Sequence, residues 1–404
     1  MSFSQGLSGL NAASQALDVV GNNIANSQTV GFKSGSIAFA DVFAGSQVGM
    51  GVQVAGVNQN FSDGVLGMGN SELDMGIQGD GFFRLVNETG SVFYSRNGQF
   101  KKDENGYIIN NQGMYLTGYQ ATGTPPTIQQ GAAVGPIQIP SDQMPAKASD
   151  AGTMNGNLDS GSKAIDQDEF PFDPKEKESY TYVTQVDAYD SLGNKHTINV
   201  YYVKTDDNEW KAYSMDSTSP STPDEWQETS LSFDAAGQLT TTPAKLNVQG
   251  SSHNGATALN FDLDLTGMTQ QATDSMMNSP STTGYAPGKM NGYTIGDNGE
   301  VIASYSNGQR QTVGQILLSN FTNPGGLSSE GNNCWSETPA SGQPTTGISG
   351  SGNLGKLYGN RLEASNVDLS QEMVNMIVFQ RNYQSNSQTI RTQSELLQTL
   401  VNLS

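Results

Sequence analysis

The sequence is poor in the residues that catalytic and metal sites need. A single cysteine, Cys334, excludes a disulfide within the chain. The two histidines, His196 and His253, lie in different stretches, and neither has a thiol or carboxylate partner at ligand spacing. This argues against a zinc site and against a hydrolytic triad. No phosphate-binding loop or dinucleotide fingerprint is present. We therefore expect a protein that is not an enzyme, with no cofactor and no metal.

Positive charge is also scarce. The 404 residues include 19 Lys and Arg against 39 Asp and Glu, which gives a net charge of −20. Such a surface repels phosphate, so no nucleic acid partner is expected. No apolar run of about 18 residues occurs, which argues against membrane insertion. The N-terminus has no basic and apolar signal-peptide pattern, and composition alone therefore favours a cytoplasmic protein. Cys334, in "GNNCWSE", lacks basic neighbours and is interpreted as a packing residue.

Glycine is abundant, with 47 residues, and it marks turns between short strands. Residues 80–119 alternate short apolar runs with the turn signals "NETG", "RNG", "DENG" and "NQG". Residues 141–283 contain 22 acidic and eight basic residues and predict an antiparallel sandwich or barrel. Their acidic clusters "DQDEFPFD" and "TDDNEW" keep a glycosidase or a calcium site open as alternatives, although neither matches the calcium-loop spacing.

Both ends of the chain predict helices that are poor in charge. Asp18 is the only charged residue before Lys33. A 4-3 spacing indicates an apolar seam in each helix, and we expect the two helices to pair as in a coiled coil. The N-terminal seam consists of Phe3, Leu7, Leu10, Leu17 and Ile24, with Ser14 and Gly21 in its gaps. The C-terminal seam consists of Leu369, Met373, Met376, Tyr383, Ile390, Leu397 and Val401, with Gln380, Ser387 and Ser394 at its polar positions. A second C-terminal stripe comprises Ile377, Leu396, Leu400 and Leu403.

The predicted fold class is multidomain α+β, with paired terminal helices and mainly-β middle domains. We expect four parts. The helical inner domain combines 1–30 with 365–404, and an extended connection combines 31–70 with 355–364. The inner β domain combines 71–140 with 284–354, and the acidic outer β domain is the insert 141–283.

Three stretches resemble one family. "NNIANSQTVGFK" (22–33) and "LEASNVDLSQEMVNMIVFQRNYQSNSQTI" (362–390) are similar to the terminal signatures of the bacterial flagellar axial proteins, which include rod, hook and hook-associated subunits. "GDGFFRL" and "FYSRNGQFKKDENGYIINNQGMYLTGY" resemble the inner β domain shared by rod and hook subunits. Chain length, the "TGTPPTIQQGA" stretch and the large insert favour a hook subunit. The alternatives are a distal rod subunit or an extracellular adhesin-like binding protein.

The resemblance implies a subunit of a curved helical homopolymer, the flagellar hook, which transmits torque while bending. It implies rod proteins, hook–filament junction proteins, a hook cap and the flagellar type III export apparatus as partners. It also implies an extracellular location in the hook, reached without a cleaved signal peptide, which replaces the cytoplasmic expectation.

The asparagines after the first helix suggest caps that avoid buried charge. We expect Asn22, Asn23 and Asn26 to cap this helix and to bond to the chain that turns at Gly31 and Phe32. Because ordering a helix costs about 1–2 kcal/mol per residue, neither terminal helix is expected to be stable alone. Both ends should be largely disordered in the monomer and become helical in the polymer. The assembly residues predicted in this way are Leu7, Leu10, Leu17, Asn22, Asn23, Ile24, Asn26, Gly31 and Phe32, with Met373, Met376, Ile377, Gln380, Tyr383, Ile390 and Leu397.

Overall fold

The computed structural model describes residues 3–42, 49–123, 125–140, 143–218, 226–252 and 254–403, without the side chains of residues 400–403. The chain forms two compact units. The first comprises Met1–Ser141, Gly292–Ser304 and Arg310–Ser404, and the second comprises Asp142–Asn291 and Tyr305–Gln309. The second unit is thus inserted into the sequence of the first. The four-part division predicted from the sequence stays a prediction.

The described residues include two α-helices, one near each end. Helix α1 spans Phe3–Ala25 and helix α2 spans Leu369–Leu403. At the start of α2 the Asp368 carboxylate accepts hydrogen bonds from the backbone N–H groups of Ser370 and Gln371, at 2.9 and 3.2 Å. Asp368 therefore caps the helix, and Glu372 adds negative charge to the first turn, where the helix dipole favours it.

The strands fall into three groups along the chain. Before the insert they are β1 (Gly35–Asp41), β2 (Val52–Gln59), β3 (Leu66–Met68), β4 (Met75–Gln78), β5 (Phe82–Val86), β6 (Val92–Ser95), β7 (Phe100–Lys102), β8 (Ile108–Asn110), β9 (Tyr115–Gln120) and β10 (Gly135–Pro136). Next come β11 (Ala151–Thr153), β12 (Gly156–Asp159), β13 (Tyr182–Tyr189), β14 (Lys195–Asp206), β15 (Glu209–Asp216), β16 (Gln227–Ser232), β17 (Lys245–Gly250), β18 (Leu259–Asp264), β19 (Thr269–Gln271), β20 (Met276–Met277) and β21 (Ser281–Thr282). The last are β22 (Met290–Ile295), β23 (Glu300–Tyr305), β24 (Arg310–Asn320), β25 (Ser328–Gly331), β26 (Cys334–Ser336), β27 (Thr345–Ile348), β28 (Lys356–Gly359) and β29 (Arg361–Glu363).

The first unit is organised around an antiparallel sheet whose strands do not follow their order along the chain. Its main path runs β22-β23-β24-β9-β5-β6-β26-β25, so strands from before and after the insert are interleaved. Two smaller pairings, β4 with β28 and β3 with β29, lead toward α2. An aromatic cluster of Phe82, Tyr94, Phe321 and Trp335 packs edge to face on this sheet. Cys334 is buried beside this cluster, and burial raises the pKa of its thiol.

The second unit has its own hydrophobic core. An antiparallel sheet in the order β13-β14-β15-β16 packs against short strands of two further sheets, β17-β18-β11-β21 and β19-β12-β20. The pairs β11 with β18 and β12 with β19 are parallel, which the hairpin pattern did not predict. They join segments more than 100 residues apart, and such pairing carries no local turn signal.

A buried histidine lies between two carboxylates in the second unit. The Nδ1 atom of His196 is 2.6 Å from an Asp216 oxygen, and its Nε2 atom is 3.5 Å from an Asp190 oxygen. The prediction that His196 has no carboxylate partner is therefore wrong. Strand β14 pairs with β15 so that Ile198, two residues after His196, lies opposite Asp216. This pairing brings the side chains of His196 and Asp216 together across the sheet, and sequence spacing does not reveal it. His253 lies outside the described residues.

The Asp190 carboxylate should make the second unit sensitive to acid. Burial alone would raise its pKa, but hydrogen bonds from Asn194, Leu192 and His196 outweigh this and hold the pKa below its ordinary value of 3.8. The ionised group therefore stabilises the fold above the ordinary pKa, and this contribution is lost as pH falls through the lowered pKa. Calorimetry from about pH 5 to pH 3 should show a smaller loss of melting temperature for Asp190→Asn than for the parent chain. Parallel curves for the two proteins would contradict the assignment, and Asp207→Asn, whose side chain is 98% exposed, is the control.

Candidate functional site

The face of α1 that the chain buries consists of small residues. A carbon added as Cβ to Gly6 would lie 3.0 Å from Ile390 of α2, and one added to Gly9 would lie 2.7 Å from the Asn386 amide. The small side chains therefore let the two helices approach closely. The buried residues of α1 are Gly6, Ala12, Ala13, Ala16, Val20 and Asn23.

The predicted leucine seam lies beside this buried face. Leu7 is 44% exposed, and Leu10, Leu17 and Ile24 are only partly buried. The expectation that these residues form the buried side of the helix pair is corrected by the structure. The heptad count favoured large side chains, whereas the close approach to α2 requires small ones. Whether the leucine seam takes part in assembly stays a prediction.

Helix α2 is mostly uncovered by its own chain. Of the predicted seam, Met376 and Ile390 are partly buried, and none of the described side chains from Leu369 to Thr399 is fully buried. Phe379, which the sequence analysis missed, packs edge-on against Phe39 of β1, with 6.4 Å between ring centroids. Its signal was its position three residues after Met376. The other predicted residues, Met373, Ile377, Gln380, Tyr383 and Leu397, are exposed.

The exposed side of α2 carries two apolar patches. Its two patches lie near the start of the helix and near its end, and their side chains are about half exposed, at 48–56%. Exposed apolar patches of this kind mark contact sites. The side chains of Leu400 and Leu403, predicted for the second stripe, lie outside the described residues. We call the exposed residues Met373, Val374, Ile377, Val378, Leu396 and Leu397 the outer stripe of α2.

The asparagines at the end of α1 divide into two roles. Asn23 is buried, donates from Nδ2 to the Gly35 carbonyl at 2.8 Å, and accepts from the Gly35 N–H at 2.9 Å. This pair of bonds fixes the start of β1 against the helix. Asn26 donates to the Asn22 carbonyl at 3.0 Å and to the Asn22 side chain at 2.8 Å, so it caps the helix end locally.

The turn at Gly31 requires glycine. Its φ is +68°, and a Cβ there would lie 2.5 Å from the carbonyl of Arg96. The Gly31 N–H donates to the Glu363 carbonyl at 2.8 Å, and the N–H of Asn366 reaches the Phe32 carbonyl at 3.4 Å. Gly31 and Phe32 thus bring the chain after α1 against the chain before α2.

A buried ionic cluster holds these chain segments together. The Lys33 ammonium is 2.7 Å from one Glu363 carboxylate oxygen, and the Arg96 guanidinium is 3.1 Å from the other. Arg96 also reaches Asp63 at 3.5 Å, and the Gly64 N–H donates to Glu363 at 2.8 Å. Lys33, Arg96 and Glu363 have side chains 1–2% exposed. We call Lys33, Asp63, Arg96 and Glu363 the ionic clasp.

Glu363 is the centre of the clasp because two cations share it. Burial, followed by repulsion from Arg96, lowers the pKa of Lys33 although Glu363 acts in the opposite direction. Hydrogen bonds to the carbonyls of Ser62 and Gly79, both at 2.7 Å, further satisfy Lys33 and Arg96. The sequence analysis missed the clasp because its four members are widely separated along the chain. Only the isolated Lys33, the first basic residue, offered a signal.

No other chemistry competes with these features in the part of the chain that the structure describes. It contains no group of three or more His, Cys, Asp or Glu side chains placed to hold a metal ion. Within the same residues, no helix is long and apolar enough to cross a membrane.

Comparison with known proteins decides the family. Matches to flagellar family models cover most of the chain: "Flagella basal body rod protein" at 5–33, "Flagellar hook protein FlgE/F/G D1 domain" at 76–156, "Flagellar basal body protein FlaE D2 domain" at 157–285 and "Flagellar basal body rod FlgEFG protein C-terminal" at 359–403. The chain is 53% identical to the flagellar hook protein FlgE of Salmonella typhimurium over 405 residues, with 100% of both chains covered. The chain belongs to the flagellar hook protein family.

Other members of the hook family support the same assignment. The Escherichia coli flagellar hook protein is 51% identical over 405 residues and 100% of both chains, and that of Borreliella burgdorferi is 32% identical over 446 residues, 100% of this chain and 99% of the relative. The crystal structure of Helicobacter pylori flagellar hook protein FlgE2 shares the fold, with a TM-score of 0.55 at 18% identity over 74% of this chain and all of that one. The chain is therefore a structural subunit of the flagellar hook.

Removal of the Glu363 charge should destabilise the first unit more than removal of the Lys33 charge. Glu363→Gln leaves two buried cations without their shared carboxylate and should cost about 3–5 kcal/mol. Lys33→Met leaves Arg96 and the Gly64 N–H on Glu363, so its cost should be about 1–2 kcal/mol. Urea unfolding, followed by amide exchange in the strands of the first unit, measures both costs. Lys101→Met, at an exposed lysine of the same unit, is the control, and equal costs for Glu363→Gln and Lys33→Met would contradict the central role of Glu363.

Proposed function

We propose that this hook subunit polymerises through α1, α2 and the β1–β2 hairpin into a curved tube that bends as a universal joint. The outer stripe of α2 is the observation that carries the proposal. Six large apolar side chains are about half exposed on a helix of 35 residues. In an isolated chain they face water, and in a tube the neighbouring subunits can cover them.

The energetics of α2 support assembly through its outer face. Ordering the helix costs about 1–2 kcal/mol per residue, whereas an apolar side chain returns about 1.5–3 kcal/mol only when it is fully buried. Because no described side chain of α2 is fully buried, its own chain supplies little of that return. Burial of the outer stripe against further copies supplies the remainder. The predicted residues Met373, Ile377, Tyr383 and Leu397 are then contacts between copies.

Family membership supports the remaining features of this proposal. Rod proteins and hook–filament junction proteins contact the two ends of the tube, and a hook cap and the flagellar type III export apparatus act during its growth. The subunit is exported without a cleaved signal peptide and functions outside the cell. It has no catalytic role, since its function is to transmit torque as part of the polymer.

Electron microscopy of the purified, concentrated full-length chain tests the proposed assembly. We expect curved tubes from the parent chain. A variant with both Ile377→Gln and Leu397→Gln should raise the critical concentration by at least about tenfold, because two apolar contacts between copies are lost. Gln388→Ala, at an exposed polar position of the same helix, is the matched control and should assemble normally. Straight tubes would favour the distal rod alternative, and absence of tubes at every concentration would refute the proposal.

The terminal helices should gain protection only on assembly. Amide exchange in the dilute chain should be fast in α1 and α2 and slow in the strands of both units. Helix α2 has no fully buried side chain in the described residues, and the buried face of α1 packs on α2, so the two helices should open together. In tubes, exchange in both helices should become slow. Limited proteolysis of the dilute chain should likewise remove the ends and leave a core of roughly residues 70–360. Strong protection of α2 in the dilute chain would show instead that the helix pair is stable on its own.

A further inference from the structure

An amide-lined cleft in the first unit lies beside the helix and the hairpin proposed for assembly. Its volume is 560 Å³, and it lies between the end of α1, the β1–β2 hairpin and the turn that joins β25 to β26. Among its described lining residues none is acidic, and its one basic residue, Lys33, is already held in the ionic clasp. Asn23 and Gln59 line the cleft with amides that are hydrogen-bonded to Gly35 and Trp335. The other amide side chains of the lining are those of Asn22, Asn26, Asn97, Gln112, Asn332 and Asn333.

The walls of this amide cleft are held by bonds between distant segments. Asn333 donates from Nδ2 to the Val30 carbonyl at 3.0 Å, and Trp335 donates from Nε1 to the Gln59 side chain at 2.7 Å. The turn between β25 and β26 is tight, because Asn332 and Asn333 both adopt positive φ, at 52° and 56°. The cleft is therefore a preformed feature of the first unit and does not depend on one flexible loop.

Two amide side chains in the cleft are available for hydrogen bonds to a ligand. The side chains of Gln112 and Asn332 are exposed and make no hydrogen bond to the part of the chain that the structure describes. They stand on two different turns, one before β9 and one before β26. Each amide offers both donors and an acceptor, which is the same combination that a peptide backbone presents.

We propose that the amide cleft binds an extended, uncharged peptide segment of a second copy of this chain. Uncharged amides match the alternating N–H and C=O groups of an extended chain, and they give no preference for an ion in a protein with a net charge of −20. Contacts in a helical polymer are heterologous, so one surface of each subunit must meet a different surface of the next. The cleft is such a surface, because it is concave and preformed.

The cleft also continues the surface proposed for assembly. Its lining includes Val57 of β2, which is 54% exposed, and Val19 of α1. A segment that enters the cleft therefore also covers apolar side chains of the hairpin and the first helix. This inference rests on the proposed polymerisation, and it adds a polar recognition site to the apolar contact of the outer stripe.

Photo-crosslinking in assembled tubes tests the inference. A benzophenone amino acid replaces Gln112 in one variant and Asn332 in another, and Asn105, on an exposed turn outside the cleft, is replaced in a control. Irradiated tubes of the two cleft variants should contain covalent dimers, with one extended peptide of the partner copy identified by mass spectrometry. The control tubes, and dilute unassembled chain, should yield none. Tubes that form normally without dimers at either cleft position would overturn the inference and leave the proposed polymerisation intact.

A second pair of variants avoids the bulk of the crosslinker. Gln112→Ala removes one amide at an exposed turn, and Asn332→Gly removes the other while keeping the positive φ that the turn needs. Together they should raise the critical concentration for tube formation about tenfold, whereas Asn105→Ala should leave it unchanged. An unchanged critical concentration in the double variant would refute a role for the cleft amides. Failure of the parent chain to form tubes would instead count against the polymerisation itself.

Discussion

The carboxylate of Glu363 is the point on which the first unit depends. This carboxylate is buried and binds two cations. The backbone carbonyl of Glu363 also accepts a hydrogen bond from the Gly31 N–H. Burial of charges costs free energy, and a protein in which apolar side chains replace a buried ion pair is often equally stable or more stable. The benefit of the clasp is therefore its geometry. The contacts of Glu363 with Lys33 and Arg96 join the chain that leaves α1 to the chain that enters α2.

The two terminal helices divide their side chains by size. Small residues of α1 face inward and allow the close approach of α2, while Leu7 and the outer stripe of α2 remain toward water. A helix pair stable by itself would do the reverse and bury its largest apolar residues. The largest apolar side chains of the two helices therefore remain available for contacts with other copies of the chain. This division explains why charged residues are scarce on both helices, since a charge in a surface that later becomes an interface would carry a desolvation cost.

The sequence predicted local features well, but it did not predict contacts between residues that are distant along the chain. Hairpin strands, the two terminal helices and the β-rich acidic insert follow from turn chemistry and periodicity, which act over a few residues. The buried side of α1 was misplaced by one position, because close helix packing selects Gly6 and Gly9 and a heptad count does not. The contact of His196 with Asp216 and the ionic clasp were missed, because strand pairing and chain crossing bring those residues together. The family resemblance supplied what periodicity could not, namely that the chain is a subunit of a polymer.

Amides take the place of charges at several points where chain segments meet. Asn23 joins α1 to β1, Asn333 joins the β25–β26 turn to the chain after α1, and Asn366 accepts from the Ser34 N–H at 2.8 Å while donating to the Asn60 carbonyl at 2.7 Å. A charge in these positions would act over about 8–10 Å at moderate salt, and in a polymer it would act on every neighbouring copy. An amide acts only at hydrogen-bond distance and saturates one partner at a time. The amides at these junctions therefore join segments of one chain without a charge whose field would reach the neighbouring copies of the polymer.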